Sequence, residues 1–339
     1  MQVTRNDVAR RAGVSAAVVS YVLNGGPRGV SADKAERVRR AVEELQYRPN
    51  SVARALRLQR SNTLGLIIPD AANPFFAELS RAIEDVAYER GYILLLGNSV
   101  NSADRERDYL RVFLERQVEG ILFVSAATHA AVPTDRKGYP PVVALDRVPN
   151  AAAMSAVVVD NRAAARELVA HLIGHGHRRI ALLGGPNELP TSRERLAGWR
   201  DALRTAGFAA SPRLRTESAF TRPGGAAAMR ELLGSTKPPT AVFAASEQQA
   251  IGALSELYAA GLRVPTDIAI GAVDGTEAAE FAIPPLTVVR QPVVEIARRA
   301  VDLVLQLARK PGPPRREVVP YQLVIRRSCG CIAEGTDRA

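Results

Sequence analysis

Three of the four histidines, His171, His175 and His177, fall within seven residues. His171 and His175 stand four apart, so on a helix they share one face, a spacing that zinc can use. Zinc would need two more donors. No Glu or Cys completes the group at motif spacing, so no metal site is expected. Cys329 and Cys331 are the only cysteines. A C-x-C pair is not the C-x-x-C of redox proteins, and two thiols are too few for a zinc site. The pair therefore reads as a reduced, inert tail. The glycine-rich stretches "LLGGP" and "LNGGP" match neither G-x-G-x-x-G nor a P-loop, and no G-x-S-x-G occurs. No nucleophile, general base or cofactor loop has supporting spacing. The expectation is a protein with no catalytic residues and no cofactor.

The charge distribution suggests a different chemistry. Of a net +10 over 339 residues, residues 1–60 carry 12 Lys+Arg against 5 Asp+Glu, or +7, which leaves +3 for the other 279. Such an end is either a solvated basic face or a surface for an acidic partner, with nucleic acid ahead of membrane. Within it, "GVSAAVVSYVLN" (13–24) holds no Lys or Arg. If this stretch lies in a DNA major groove, its outward residues are Ser15, Ala16, Ala17, Ser20, Tyr21 and Asn24. Alanine methyls can touch thymine methyls, and Ser, Tyr and Asn can hydrogen-bond base edges or phosphates. The arginines around it, Arg5, Arg10, Arg11, Arg28, Arg54 and Arg57, would supply the phosphate contacts.

These residues need elements to hold them. Thr4 can cap a first helix whose Val8, Ala9 and Ala12 form one stripe. Gly13 suits a left-handed C-cap, and Ser15 can cap a second helix running to about Asn24. Ser31 can cap a third, with Ala35, Val38, Val42 and Leu45 at helical spacing, which ends at "YRPN". Helix, glycine turn, helix is the geometry of a helix-turn-helix, although many small helical hairpins share it. "NSVARALR" (50–57) could form a short further helix.

From residue 64 the texture changes. Apolar runs at 64–70, 93–98, 120–125, 141–146, 156–160, 179–185, 240–245 and 267–274 read as strands. Helical patterns at 75–90, 103–116, 161–174, 194–206 and 247–260 fall between them. Strands that are apolar throughout and separated by helices imply parallel sheets covered on both faces, with ligands at the carboxyl ends of the strands. So many strands in a chain of this length fit two such units better than one. The fold class expected is an all-α headpiece followed by an α/β core of two parallel-sheet subdomains. No apolar run approaches the ~20 residues of a membrane span, and the polar start "MQVTRNDVARR" has no apolar signal core. A cytoplasmic protein is expected.

"VTRNDVARRAGVSAAVVSYVLNG", "SADKAERVRRAVEELQYRPNSVARALR" and "TLGLIIPDAANPFFAELSRAIEDVA" resemble the lactose/galactose-repressor (LacI/GalR) family of bacterial transcription regulators. The resemblance continues through "GHGHRRIALLGGP", "SRERLAGWRDAL", "GLRVPTDIAIGAVDG", "PPLTVVRQP" and "LVIRRSCG", in order over nearly the whole chain. It implies a DNA-binding headpiece (1–47), a hinge helix (48–60) and a core similar to periplasmic binding proteins (61–339). In that core an N-subdomain takes about 61–160 plus 291–319, and a C-subdomain about 161–290 plus 320–329. It also implies a homodimer on a pseudo-palindromic operator of double-stranded DNA. Thr4, Arg28, Asn50, Ala53 and Leu56 then join the DNA-binding set. Leu56 would wedge into the minor groove, and Ala53 would let two hinge helices approach. The alternative for "NSVARALR" is an amphipathic linker packed on the core. At positions matching the family's effector site stand Asn73, Phe75, Asp146, Arg147, Asp160, Arg195, Phe220, Ser246 and Asp274. A charged and aromatic set of this kind holds a sugar or a nucleobase. The chain departs from the family pattern at Ser246 and Gly275, which bears on the effector, and at Tyr21, which bears on the operator. A transport component would need a secretory signal and no basic headpiece; an enzyme would need the catalytic groups missing above. The reading is an effector-controlled repressor.

Overall fold

In the computed structural model, residues 3–24, 29–47, 61–126, 138–148 and 154–331 are described. Arg28, Arg54, Arg57, Asn50, Ala53, Leu56 and the hinge helix expected over 48–60 lie outside them, as does the side chain of Asn24. The chain divides into two units, Met1–Ser61 and Asn62–Ala339, each described here by itself.

The first unit contains α1 (Arg5–Ala12), α2 (Ala16–Asn24) and α3 (Ala32–Glu44). The Thr4 backbone N–H and hydroxyl both donate to the Asp7 carboxylate, at 2.9 and 2.6 Å, and tie down the first turn of α1. These bonds also hold the Asp7 carboxyl below its ordinary pKa. At the other end Gly13 is left-handed, with φ +63°, and Val14 N–H reaches back to the Ala9 carbonyl at 3.0 Å. This turn brings Val8, Ala9, Ala12, Val19, Val38 and Ala41 into one small core, with Val14, Ala16, Val22, Leu23, Val42, Leu45 and Tyr47 around it. Ser31 stands at the N-cap of α3, but its side chain makes no cap hydrogen bond.

The second unit has the alternation expected of an α/β chain. In order come β1 (Thr63–Ile68), α4 (Pro74–Glu89), β2 (Ile93–Asn98), α5 (Ala103–Glu115), β3 (Gly120–Phe123), β4 (Val142–Leu145), β5 (Ser155–Val158) and α6 (Asn161–Gly174). Next are β6 (Ile180–Gly184), α7 (Pro190–Thr205), β7 (Arg215–Glu217), α8 (Arg222–Leu233), β8 (Ala241–Ala244), α9 (Glu247–Ala259) and β9 (Ala269–Asp274). Finally α10 (Glu277–Glu280), β10 (Thr287–Arg290), α11 (Val293–Arg309), β11 (Arg316–Val318) and β12 (Gln322–Val324) close the chain.

The strands form two sheets, ordered β11-β5-β4-β3-β1-β2 and β12-β10-β9-β8-β6-β7. All pairings are parallel except that of β10 with β12. Among the described elements the chain passes between the sheets three times: after β5, after β10 and after β11. Side chains alternate along the first sheet. Leu64, Leu66 and Ile68 pack with α4 and α11, whereas Ile67 packs with Leu110 and Phe113 of α5. Both faces of the inner strands are therefore dry, which is why β1, β3 and β4 are apolar nearly throughout.

Candidate functional site

The outer face of α2 is small and polar. The Ser15 hydroxyl accepts Val18 N–H at 3.3 Å, the expected cap, and Ser15 and Ala17 are exposed. Ala16, Ser20 and Tyr21 are half-buried, and Ala16 packs against the headpiece core, so it offers less surface than Ala17. Two of the flanking arginines are engaged within the headpiece: Arg10 pairs with Asp7 at 3.4 Å, and Arg11 pairs with Glu44 at 2.5 Å.

The second concentration of chemistry lies where the carboxyl ends of the two sheets meet. Arg195 projects from the second turn of α7. It is 3% exposed, donates through Nε to Asn161 Oδ1 at 2.8 Å and through a terminal nitrogen to the Ala245 carbonyl at 2.5 Å. Its other terminal nitrogen stands 4.0 Å from both Asp146, which follows β4 of the first sheet, and Asp274, which ends β9 of the second. Arg147 is paired with Asp146 at 3.7 Å. The Phe220 ring receives both guanidiniums, with Arg147 Cζ 5.8 Å and Arg195 Cζ 5.9 Å from its centroid. The ring lies where a Cβ on Gly185 would be, at 2.1 Å, so the site needs a glycine there. The buried atoms Arg147 Nε, Thr191 Oγ1 and Ser192 Oγ make no hydrogen bond among the described residues. Buried polar groups are nearly always satisfied, so three such atoms beside this cluster suit a polar ligand.

Burial sets the acid–base character. It pushes the Asp274 carboxyl up to about 7, with Arg195 opposing and Glu247 and Asp146 adding to the rise. Asp274 accepts Glu247 N–H at 3.3 Å and the Gln291 amide at 3.1 Å. Burial likewise raises Glu247, which is bonded to Thr276, and lowers Arg147. Behind Arg147, the fully buried Glu106 is pushed up to about 7 by burial; one of its oxygens accepts Ala126 N–H at 2.5 Å and the other makes no hydrogen bond among the described residues.

Arg147, Asp146, Arg195, Phe220 and Asp274 are thus brought together. The four other expected residues, Asn73, Phe75, Asp160 and Ser246, are placed differently. Asp160 is exposed and caps α6, accepting Ala163 N–H at 2.8 Å. Its carboxylate is used by the helix end, and the next residue, Asn161, turns inward to Arg195. Phe75 is packed in the first core, edge-on to Phe76 at 5.2 Å, and it is Phe76 that lies under Arg147, at 5.4 Å. Ser246 is a buried cap of α9, with its hydroxyl bonded to Gln249. Asn73 caps α4, accepting Phe75 N–H at 3.0 Å. A Cβ on Gly275 would lie 2.6 Å from Arg290 Cα, so a second carboxylate beside Asp274 has no room. Thr191 and Ser192 were missed. Their spacing of four and three residues before Arg195 on one helix is the signal that could have found them.

The histidines also differ from expectation. His177 bonds Thr240 Oγ1 at 3.1 Å and stands apart. His171 and His175, set aside as a metal pair for want of cysteines at motif spacing, have Cys329 and Cys331 beside them in the fold. Long-range folding supplies what local spacing lacked.

The headpiece and the two-sheet core define a class of bacterial DNA-binding regulator with a periplasmic-binding-protein-like body. Residues 4–50 match the family model of bacterial regulatory proteins of the lacI family, and 169–329 match the periplasmic binding protein-like domain. The chain is 35% identical over 327 residues to the HTH-type transcriptional repressor CytR of Escherichia coli (strain K12), covering 96% of each. The lac repressor dimer bound to operator and the anti-inducer ONPF superposes with a TM-score of 0.85 at 28% identity, over 97% of this chain and 99% of that one. The transcriptional regulator CelR–cellobiose complex gives 0.72 at 35% identity, over 96% and 100%. The chain belongs to the LacI family of bacterial transcription regulators, whose members are regulators and not enzymes. Among the described residues, no helix is long and apolar enough to cross a membrane.

Proposed function

We propose that this protein is a cytoplasmic repressor that binds a pseudo-palindromic operator as a homodimer, and that a neutral, hydroxyl-rich effector held between its two sheets sets operator affinity. The headpiece (1–47), hinge (48–60) and core (61–339) divide the work. The α2 face with Thr4, Arg28, Asn50, Ala53 and Leu56 takes the DNA. Arg147, Arg195, Asp146, Asp274 and Phe220 take the effector, with Phe76, Asn161, Thr191 and Ser192 joining them.

The observation that carries this reading is the convergence on one aromatic ring of two arginines that stand beside two carboxylates, one from each sheet. Above about pH 7, where Asp274 is ionised, the two charges of each sign offset one another, so the site favours an uncharged ligand over a phosphate. Carboxylates and guanidiniums can pair with hydroxyls, and the ring can cover a sugar face. The CelR–cellobiose complex, in which a similar protein holds a neutral sugar, supports an effector of this chemical class. Because the ligand would touch side chains from both subdomains, it would favour one arrangement of them and shift operator affinity by its difference in affinity for the two arrangements.

A thermal-shift screen of the full chain against neutral sugars, nucleosides, nucleobases and sugar phosphates tests the site. A ligand that binds the native state raises its melting temperature. A neutral sugar or nucleoside is expected to do so. A rise with sugar phosphates alone would overturn the proposed charge balance.

A further inference from the structure

We propose that His171, His175, Cys329 and Cys331 form a zinc site that fastens the C-terminal segment to α6. His171 lies in the last turn of α6 and His175 is its C-cap. The two cysteines flank Gly330, 158 residues further along the chain from His171. His171 Nε2 is 3.2 Å from Cys329 Sγ and 3.8 Å from Cys331 Sγ, and His175 Nε2 is 3.0 Å from Cys331 Sγ. All four donor atoms lie within 4.8 Å of one another. With Zn–S near 2.3 Å and Zn–N near 2.0–2.1 Å, the edges of a tetrahedral Cys2His2 set are about 3.3–3.8 Å long. Two separate imidazole–thiol hydrogen bonds would explain two of these distances. They would not require Cys331 also to approach His171, which makes the four atoms one cluster.

The surroundings fit a built site. Gly330 has φ +97°, a conformation that lets the chain turn sharply between the two thiols and that other residues rarely adopt. Ser328 anchors the turn to the sheet: its hydroxyl donates to the Ile270 carbonyl at 2.6 Å and accepts Thr287 N–H at 2.8 Å. Thr287 Oγ1 donates to Cys329 Sγ at 3.1 Å, an outer contact of the kind that orients a metal thiolate. Cys329 is buried, whereas His175 is exposed, which gives an ion a way in. Thiolate and imidazole together select zinc over magnesium or calcium. On binding, each thiol releases its proton to solvent and each neutral imidazole gives its Nε2 lone pair. The two thiolate charges balance the ion, and no redox step is involved. Four protein ligands leave no open position, so the site is structural.

Ile270 is at the amino end of β9, and Asp274 is at its carboxyl end. The cluster is therefore at the opposite end of the sheet from the candidate effector site and does not depend on it.

The test is metal content of the purified full chain, kept reduced, after exchange into metal-free buffer. We expect one zinc per chain, and on replacement by cobalt(II) the thiolate charge-transfer and strong visible bands of a tetrahedral site. His175→Ala and Cys331→Ser, both at accessible positions, should each weaken zinc binding at least about tenfold. His177→Ala, outside the cluster, should not. Chelation should lower the melting temperature of the parent chain and leave the two ligand variants unmoved. A folded, reduced parent chain that takes up no zinc would overturn the proposal, as would zinc retained at full affinity in both ligand variants.

Discussion

Glu106 shows how much one side chain can cost when burial and pairing do not match. One of its oxygens accepts a backbone N–H, the other makes no hydrogen bond among the described residues, and burial lifts the carboxyl from 4.5 to about 7. The folded state therefore holds the proton more tightly than the unfolded chain does. The stability this gives is fully present below about pH 4.5 and is lost as pH rises through about 7. Glu106→Gln removes the charge and keeps the shape. The melting temperature of the variant should exceed that of the parent by a few degrees at about pH 8, at roughly 1.4 kcal/mol per unit of pKa shift, and match it near pH 4.5. Calorimetric scans across this range would check it; an equal deficit at both pH values would mean that the carboxylate is needed in its charged form. Asp274 has the same sign of dependence, so a pH slope remains in the variant. Residue types were legible in the sequence at Asp146, Arg147, Arg195, Phe220 and Asp274, which the structure gathers at one place. Asp160 and Phe75 lie outside that group and their neighbours Asn161 and Phe76 lie in it, because helix caps and core packing decide which of two neighbours turns inward.

At the scale of elements, the headpiece depends on one turn. Gly13 brings α1 against α2 with a left-handed φ, and a Cβ there would meet nothing closer than Arg37, at 3.6 Å. The cost of Gly13→Ala is then conformational, about 1 kcal/mol, and Gly13→Asn should recover part of it because asparagine tolerates this region. Urea unfolding of the full chain, followed by a headpiece signal, should rank parent above Asn above Ala; a reversed order would show that the space around the turn, and not its dihedral angle, is limiting. The long elements were readable because their apolar periods are strong. The expected strand at 93–98 is β2 (Ile93–Asn98), and the expected helix at 161–174 is α6 (Asn161–Gly174). The short strands β7 (Arg215–Glu217) and β11 (Arg316–Val318) were not, since three residues of which two are charged carry no period and become strands only by pairing with β6 and β5. The cysteine–histidine cluster was illegible for a related reason: its halves meet only after the second sheet is assembled.

At the scale of the molecule, two sheets exchange strands through three crossings, and Arg195 stands beside Asp146 at the carboxyl end of one and Asp274 at that of the other, where the effector is proposed to bind. A ligand that paired with both carboxylates would contact both subdomains, which would be the physical basis for coupling it to DNA. Glu277 N–H of α10 also donates to Glu78 of α4 at 3.1 Å, a contact that any relative movement of the two must alter. Phe220 is the sharpest probe of this coupling. It is half-buried, its ring faces both arginines, and it lies in the core, well away in sequence from the α2 face proposed to read DNA. The decisive measurement is a fluorescence-anisotropy titration of operator DNA, selected by the full chain from random duplexes, with and without the neutral ligand found by thermal shift. For the parent chain, ligand should change operator affinity by about tenfold or more. For Phe220→Ala, ligand-free operator affinity should be unchanged, and the ligand concentration needed for the response should rise roughly ten- to a hundredfold. A parent chain whose operator affinity ignores the ligand, or a variant that responds at the parent's ligand concentration, would contradict the account.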